Sequence, residues 1–547
     1  MRLLSGLDTG ALETLASSAL QVRVPARGWL FRQGDAADDL AVVVSGRLEV
    51  IVDADGDLDD SGDASVARHV GPGAALGELS LLTGTERSAS VRAIRDSELV
   101  VVPRPAFEQL LASDAGFAGS LARFLATDLR ESRSFALPPA VPTVFTVVPL
   151  EHRAPAVDIA SQLAAELRSW GSVALLDDGT ARDAPSHSAL LSRCEADHAY
   201  VVLVSDQGDD DPEWRAFCVR SADRIIAVAH RAPSAGWSPD ARHHLAGSDL
   251  AVVEGTPASA ITAWMQLLRP RARHTIAAGA TIGQGAARMA RRLTGRSRGL
   301  VLSGGGARGL AHLGVVGVLA EAGVEIDRVG GCSMGGFIGV MLASGWSPER
   351  MVSQCREELS RRRWFSDVRL PGSTLLTARR ATDMLERVFG TTLMESLPTD
   401  VFTVSADLVS GELVVHRDGL VREAVGASMA VPGLIPPLVK DGRCLVDGGV
   451  LDNLPVDVMA EVEDGPIVAV DVMRRPTTSS HHAPGMVETM ARAMVLGGWQ
   501  RAERNRADAE VVVTPDVDRI GFLEFEAIDA AIIAGRRAAE AALSSLR

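Results

Sequence analysis

Three features of the chain point to a multidomain α/β protein. At 547 residues it exceeds what one hydrophobic core usually organises, about 250 to 300 residues. Its first quarter reads as short β-rich runs followed by helical spacing, whereas from Thr143 onward strand-like and helical patterns alternate, the order that builds parallel sheets. Between Leu300 and Gly335, two buried-strand patterns each turn through glycines into an apolar helix-like run.

Composition narrows the function classes. The hydrophobic fraction is 46% and the charged fraction 23%, ordinary for a soluble globular protein. A net charge of −15 argues against a nucleic-acid partner and against attraction of the whole molecule to an anionic membrane, so membrane contact is expected to be local and apolar. No basic leader with an apolar core stands at the N-terminus, and no window approaches the roughly 20 apolar residues of a membrane span. The expectation is a cytoplasmic protein, peripheral at most to a membrane. Cys194, Cys218, Cys332, Cys355 and Cys444 are odd in number and form no C-x-x-C pair, so neither a disulfide framework nor a metal site is indicated.

Residues 1–137 are expected to form a small antiparallel barrel plus helices. Leu40 to Val44 and Arg47 to Val52 are β-rich and joined at Ser45-Gly46; Val66 to Val70 and Glu98 to Val102 add strands, and Arg104 to Leu111 and Ala118 to Arg133 have helical spacing. Asp53 to Asp57 superficially matches a calcium loop, but its glycine comes too early and no closing glutamate follows, so a solvated acidic hairpin tip is the better reading. The informative stretch is Gly77-Glu78-Leu79, followed by Arg87-Ser88. Backbone amides at a short helix start, one carboxylate and one arginine suit a ribose cyclic phosphate: Glu78 can accept from a sugar hydroxyl while Arg87 pairs with the phosphate. This stretch resembles the phosphate-binding cassette of cyclic-nucleotide-binding domains, with Gly34-Asp35 and Ser45-Gly46 at that family's glycine turns. The resemblance implies a jelly-roll barrel and a regulatory ligand bound through Gly77, Glu78, Leu79, Arg87 and Ser88. Glu86 stands where proline is usual, Ser90 where threonine is usual, and Ser88 leaves cAMP and cGMP both open.

Pro138, Pro139 and Pro142 mark a linker. Residues 143–270 then read as a Rossmann-like α/β module with strands near Val144, Val173, Tyr200, Ile225 and Leu250. Its first loop, Pro149-Leu150-Glu151-His152-Arg153, carries no Gly-rich phosphate turn, so a spacer or docking role is expected. Residues 271–298 read as a helical connector with Arg288, Arg291, Arg292, Arg296 and Arg298, most simply a solvated basic face.

The chemistry begins at Gly299. Gly304-Gly305-Gly306-Ala307-Arg308-Gly309 can bring several N–H groups to one space ahead of a helix, and Gly331-Cys332-Ser333-Met334-Gly335 permits a sharp elbow that exposes a serine hydroxyl. The serine needs a base, and the histidines sit awkwardly: His312 in the helix after the glycine loop, His416 in an isolated strand-like run. Asp447, where Leu445-Val446-Asp447-Gly448-Gly449 ends a strand in a glycine turn, is the better candidate.

G-x-G-x-x-G, G-x-S-x-G and D-G-G, in this order and each after a strand, resemble the patatin-like phospholipase family. The resemblance implies an α/β/α hydrolase domain over 299–472, with 473–547 completing it as a loop and helices. It also implies a Ser333–Asp447 dyad, with Gly304, Gly305, Gly306, Arg308 and Gly309 at the oxyanion and Gly331 and Gly335 shaping the elbow. No cofactor is implied for catalysis. The order of a cyclic-nucleotide-binding module, an α/β region and a patatin-like domain resembles bacterial relatives of neuropathy target esterase, which implies hydrolysis of lysophospholipid or phospholipid acyl esters at a membrane or micelle surface. The alternative from another class is a nucleotide-responsive scaffold with an inactive hydrolase fold. Arg474 to Gly485 is a polar loop that could serve as a lid, and Phe522, Leu523, Phe525 and Ile528 suit core packing or lipid contact.

Overall fold

In the computed structural model the described residues are 18–52, 65–113, 117, 119, 143–205 except 183, 185 and 186, 212–234, 244–277, 282–362, 379–473 and 485–546. The acidic tip, the linker prolines, most of the Ala118–Arg133 helix and nearly all of the lid candidate fall outside them. The chain divides into two compact units, residues 1–228 and 229–547.

In the first unit, β1 (Leu20–Val24), β8 (Ser97–Pro103), β3 (Asp39–Ser45) and β6 (Ala75–Leu76) form one antiparallel sheet in that order. A second contains β2 (Trp29–Phe31), β7 (Ser90–Ala93), β4 (Leu48–Val52) and β5 (Ser65–Val70). β3 shows why this pairs into a barrel. Its strand alternation sends Ala41 and Val43 against Leu48, Val91 and Leu99 of the neighbouring strands, and Leu40 and Val42 against Phe107 and Leu110 of the helix Arg104–Ser113. Gly46, at φ 97°, turns the chain between β3 and β4, but the hairpin expected at Ser45-Gly46 is corrected: the two strands lie in different sheets, so the turn carries the chain from one sheet to the other.

The same unit continues into a parallel sheet ordered β10 (Val173–Leu176), β11 (Tyr200–Val204), β9 (Val144–Pro149), β12 (Arg224–Ala229). The helix Ala156–Leu167 packs on it through Ile159, Ala160, Leu163, Ala164 and Leu167, a helical period. Barrel and sheet are pinned by buried charge: Arg47 pairs with Asp223 at 3.0 Å, and Arg95 donates to the Ser221 carbonyl at 3.1 Å and pairs with Glu195.

In the second unit β13 (Asp249–Val253) pairs in parallel with β14 (Ala272–Ile276). β14 corrects the expectation of a wholly helical connector: Ala272, His274 and Ile276 are all buried, and His274 meets Asp249 at 3.2 Å. The helix Ile282–Leu293 follows, and its arginines are not a solvated face. Arg292 is buried between Asp464 (2.6 Å) and Asp400 (2.8 Å), and Arg291 pairs with Asp327 (2.6 Å). Carboxylates from more than thirty to about 170 residues away turn the basic run into an internal clamp, a partnership no local pattern encodes.

The main sheet runs β19 (Leu438–Lys440), β20 (Arg443–Asp447), β17 (Asp400–Asp407), β16 (Arg328–Cys332), β15 (Gly299–Leu302), β21 (Ile467–Val470), β22 (Val511–Val513), with β18 (Leu413–His416) also pairing β17. The five strands from β17 to β22 are parallel, whereas β20 runs antiparallel to β17. Both faces are covered. Leu300 and Leu302 enter a core built with the helices Ala311–Glu321, Met334–Ala343 and Ile528–Leu546, while Val301, Phe402 and Val404 face Val456 and Met459. Phe522, Phe525 and Ile528 are buried in the first of these cores, so they serve packing. No described helix is long and apolar enough to cross a membrane.

Candidate active site and nucleotide cassette

Ser333 follows the C-terminal end of β16, where parallel α/β sheets place their reactive groups. It opens the helix Met334–Ala343 with φ 52° and ψ −120°, a positive φ that costs a non-glycine residue about 1 to 3 kcal/mol and marks the strained elbow. Its N–H donates to the buried Ser428 Oγ at 2.8 Å, and its side chain is nearly buried.

The two glycine turns touch because side chains are missing where they meet. A Cβ at Gly335 would stand 2.2 Å from the Leu302 carbonyl oxygen. One at Gly304 would stand 2.5 Å from Asn453 Oδ1 and 3.2 Å from Ser333 Cβ. Gly331 backs directly onto Gly335, and Gly309 onto Met334. The glycine loop therefore lies against Ser333.

Several of its amides are already used. Gly304 N–H donates to the Asn453 carbonyl (3.1 Å), Ala307 N–H to that of Phe522 (2.8 Å), and Arg308 N–H to that of Gly305 (3.2 Å). The N–H groups of Gly305 and Gly306 have no partner among the described residues. The Arg308 side chain is also engaged: Nε donates to the Ile520 carbonyl (2.8 Å) and Nη2 pairs with Glu488 (2.8 Å) of the helix Met486–Leu496. Gly304 and Arg308, both expected at the oxyanion, therefore already make these contacts in the resting structure. Their donors hold the Asn453 turn and the C-terminal segments, which leaves Gly305 and Gly306 as the loop amides available.

Asp447 ends β20, paired in register with Ser405 of β17, and is fully buried. Its Oδ1 accepts from Gly449 N–H at 2.8 Å and from the Cys332 thiol at 3.5 Å. Oδ2 is buried with no hydrogen bond of good geometry, yet the Ser333 hydroxyl is close enough to favour the charged form. Burial pushes the carboxyl up to about 6, against the pull of the Ser333, Gly449 and Cys332 donors. Catalytic hydrogen bonds are often loose before substrate binds, so this geometry suits a resting base.

Neither candidate histidine meets the serine. His312 is buried and Nε2–H donates to the Ser303 carbonyl (2.9 Å); burial holds it down to about 4. His416 Nε2 meets Ser405 Oγ at 2.7 Å, and burial holds it down to about 4 as well. Asp452 is buried but structural: Oδ1 accepts from Leu454 N–H (3.1 Å) and Asn505 Nδ2 (3.2 Å), and Arg501 pairs with Oδ2 (3.2 Å). Ser428, Cys332 and Asn453 complete the site. Cys332 stands within the Gly331 to Gly335 turn, but its contact with Asp447, like those of Ser428 with Ser333 and of Asn453 with Gly304, is made only in the fold.

In the first unit Gly77, at φ 85°, precedes the short helix Glu78–Thr83, and a Cβ there would be 1.8 Å from Arg87 Nη1. Glu78 and Arg87 are buried, whereas Leu79 and Ser88 lie at the surface. The Arg87 guanidinium stacks 4.1 Å from the Phe31 ring and pairs through Nη2 with Asp39 at 2.6 Å. Its Nε and Nη1 make no hydrogen bond among the described residues. The sequence reading missed Phe31 and Asp39, which come from neighbouring strands.

Comparison with known proteins agrees with both regions. Residues 300–460 match the patatin-like phospholipase family and residues 21–114 the cyclic nucleotide-binding domain. An uncharacterized NTE family protein of Mycobacterium tuberculosis is 33% identical across 99% of this chain and 95% of its own length. A lysophospholipase of Aspergillus fumigatus is 26% identical across 96% of this chain, which spans 41% of that longer protein. With a relative matched nearly end to end, a patatin-like phospholipase domain and a cyclic nucleotide-binding domain on one chain, the protein belongs to the NTE family, the relatives of neuropathy target esterase.

Proposed function

We propose that the protein is a serine (lyso)phospholipase that hydrolyses carboxylic acyl esters of lysophospholipids or phospholipids at a lipid surface, with a cyclic nucleotide as regulatory ligand. The observation that carries this reading is the meeting of Ser333 on its strained elbow, the glycine loop against its Cβ and the buried Asp447. Asp447 takes the Ser333 hydroxyl proton as Oγ attacks the ester carbonyl carbon. The amides of Gly305 and Gly306 donate to the developing oxyanion. Collapse breaks the acyl–oxygen bond, and the departing alcohol takes the proton from Asp447. Water, deprotonated in turn by Asp447, then attacks the acyl-Ser333 ester and releases the fatty acid. A carboxyl held near 6 is poised for both directions of proton transfer close to neutrality.

The lysophospholipase named among the relatives favours a lysophospholipid substrate. For the ligand, a buried arginine with unmatched N–H groups beside Gly77 and Glu78 suits a cyclic phosphate. A fluorophosphonate probe should label the wild type and not Ser333→Ala, and fatty acid release from lysophosphatidylcholine should vanish in that variant. Hydrolysis persisting in Ser333→Ala would sink the dyad. Absence of both labelling and release in the wild type would favour the scaffold alternative.

A further inference from the structure

The sheet edge beside Asp447 carries a bare apolar row, and the geometry points to it as the element that docks the protein onto its lipid surface. The inference rests on the lipid-esterase reading and adds the contact that delivers the site to its substrate.

β17 continues past the end of β16: Cys332 pairs with Val404, and the strand runs on to Asp407 before turning through Leu408 and Val409. At about 3.3 Å per residue, Leu408 stands up to about 13 Å beyond the level of the strand end that carries Ser333. β20 and β19 extend alongside. Leu408 N–H donates to the Cys444 carbonyl at 2.9 Å, and Cys444 pairs with Val439. Cys444 and Val439 are directly opposed on β20 and β19 and share a face, and Leu408, the first residue of the turn after β17, continues the β17 register opposite Cys444, so the three lie in one row. Along β20 the row begins three residues, about 10 Å, from Asp447.

The two ends of this row are uncovered, with Cys444 half-buried between them: Leu408 is 57% exposed and Val439 75%, and Val409, next to Leu408 in the turn, is 73% exposed. They are three of the ten large hydrophobic residues exposed among the described residues, gathered on one ribbon, whereas single exposed apolar residues elsewhere need no explanation. The tip adds a polar feature. Lys440, the only lysine of the chain, opposes Arg443 across the two-residue turn Asp441-Gly442, both at positive φ. Like charges directly opposed weaken a hairpin, and they suit the phosphate layer of a lipid surface. Asp441 and Glu412 are also exposed nearby, and Glu423 pairs with Lys440 at 2.6 Å. Net attraction is therefore weak and apolar burial carries the docking, in keeping with the overall charge of −15. A zwitterionic surface suffices.

The test uses the full chain with Leu408→Ser and Val439→Ser together. Partition onto vesicles of phosphatidylcholine containing lysophosphatidylcholine is measured by co-sedimentation in a Ser333→Ala background, where no hydrolysis alters the lipid. Hydrolysis of monomeric p-nitrophenyl butyrate is measured with Ser333 intact. Removing two apolar side chains should lower partition by at least about tenfold, with soluble-ester hydrolysis within about twofold of the parent. In the complementary Val439→Trp variant, indole emission should shift to the blue on adding vesicles. Unchanged partition in the double variant overturns the assignment, as does an unshifted tryptophan. A change in self-association with partition unaltered would give the face to a second copy and overturn it too. Because partition is read without catalysis, failure of the docking inference is separable from failure of the esterase reading.

Discussion

The two candidate sites differ in how far the protein satisfies its own polar groups. Around Ser333 the supporting donors are used, Ser333 N–H by Ser428, Gly304 N–H by Asn453, and Arg308 by Ile520 and Glu488, and the groups left open are two loop amides and Asp447 Oδ2 beside the serine. At the cassette, a buried guanidinium faces one carboxylate and leaves two nitrogens unmatched. Buried donors without acceptors are costly, so the cassette stands to gain from an incoming anion. The hydrolase site instead has its geometry built in before substrate arrives, which is what stabilising a developing charge requires. One region holds its geometry through internal bonds, and the other keeps unmatched donors that an anion would satisfy.

This contrast predicts effects of graded size. The largest belongs to Asp447→Asn, which keeps the shape of the side chain and removes the base. kcat/KM for lysophospholipid should fall by at least about 10,000-fold, while the heat of cyclic-nucleotide binding is unchanged; a parallel loss of that heat would show that the two regions are not independent. Next comes Arg87→Gln. Losing a charge-assisted bond to the phosphate should weaken cAMP or cGMP binding by about 10- to 100-fold in calorimetric titration, with nucleotide-free esterase activity intact.

Asp39→Asn probes the same incompleteness from the other side. With its competing carboxylate neutralised, Arg87 should bind cyclic nucleotide several-fold more tightly, and the gain should shrink in high salt. Weaker binding would instead make Asp39 the residue that orients Arg87. The smallest effect concerns pH. Asp447 accepts the proton only as the carboxylate and is held up to about 6, so kcat/KM should decline as pH falls through that value. Cys332→Ser replaces a weak thiol donor with a stronger hydroxyl, which favours the charged form and should move the acidic limb to lower pH by a few tenths of a unit. Cys332→Ala should move it upward.

Both sites were legible where their chemistry is local. Gly304 to Gly309, Gly331 to Gly335 and Asp447 to Gly449 stand out because close backbone approach and a strained turn admit few residue types. The Gly77-Glu78 and Arg87 pattern stands out for the same reason. What stayed illegible depends on partners far along the chain. That Arg308 is held by Glu488 and Ile520 is not visible in its local motif, and Arg292 looks solvated until Asp400 and Asp464 enclose it. The five residues of β14 carry little strand patterning of their own, and pairing with β13 makes them a strand.

By itself, then, the sequence determines the order of the cyclic nucleotide-binding and patatin-like regions and singles out Ser333, Asp447 and Arg87 as candidates, because turn chemistry and reactive side chains are written in neighbouring residues. The fold decides which loop donors are already used, that Ser428 contacts Ser333 and Cys332 contacts Asp447, and that Leu408 and Val439 stand exposed at the two ends of one row. Those are outcomes of strand register and of contacts between residues up to about 200 positions apart, and no local stretch of sequence contains them.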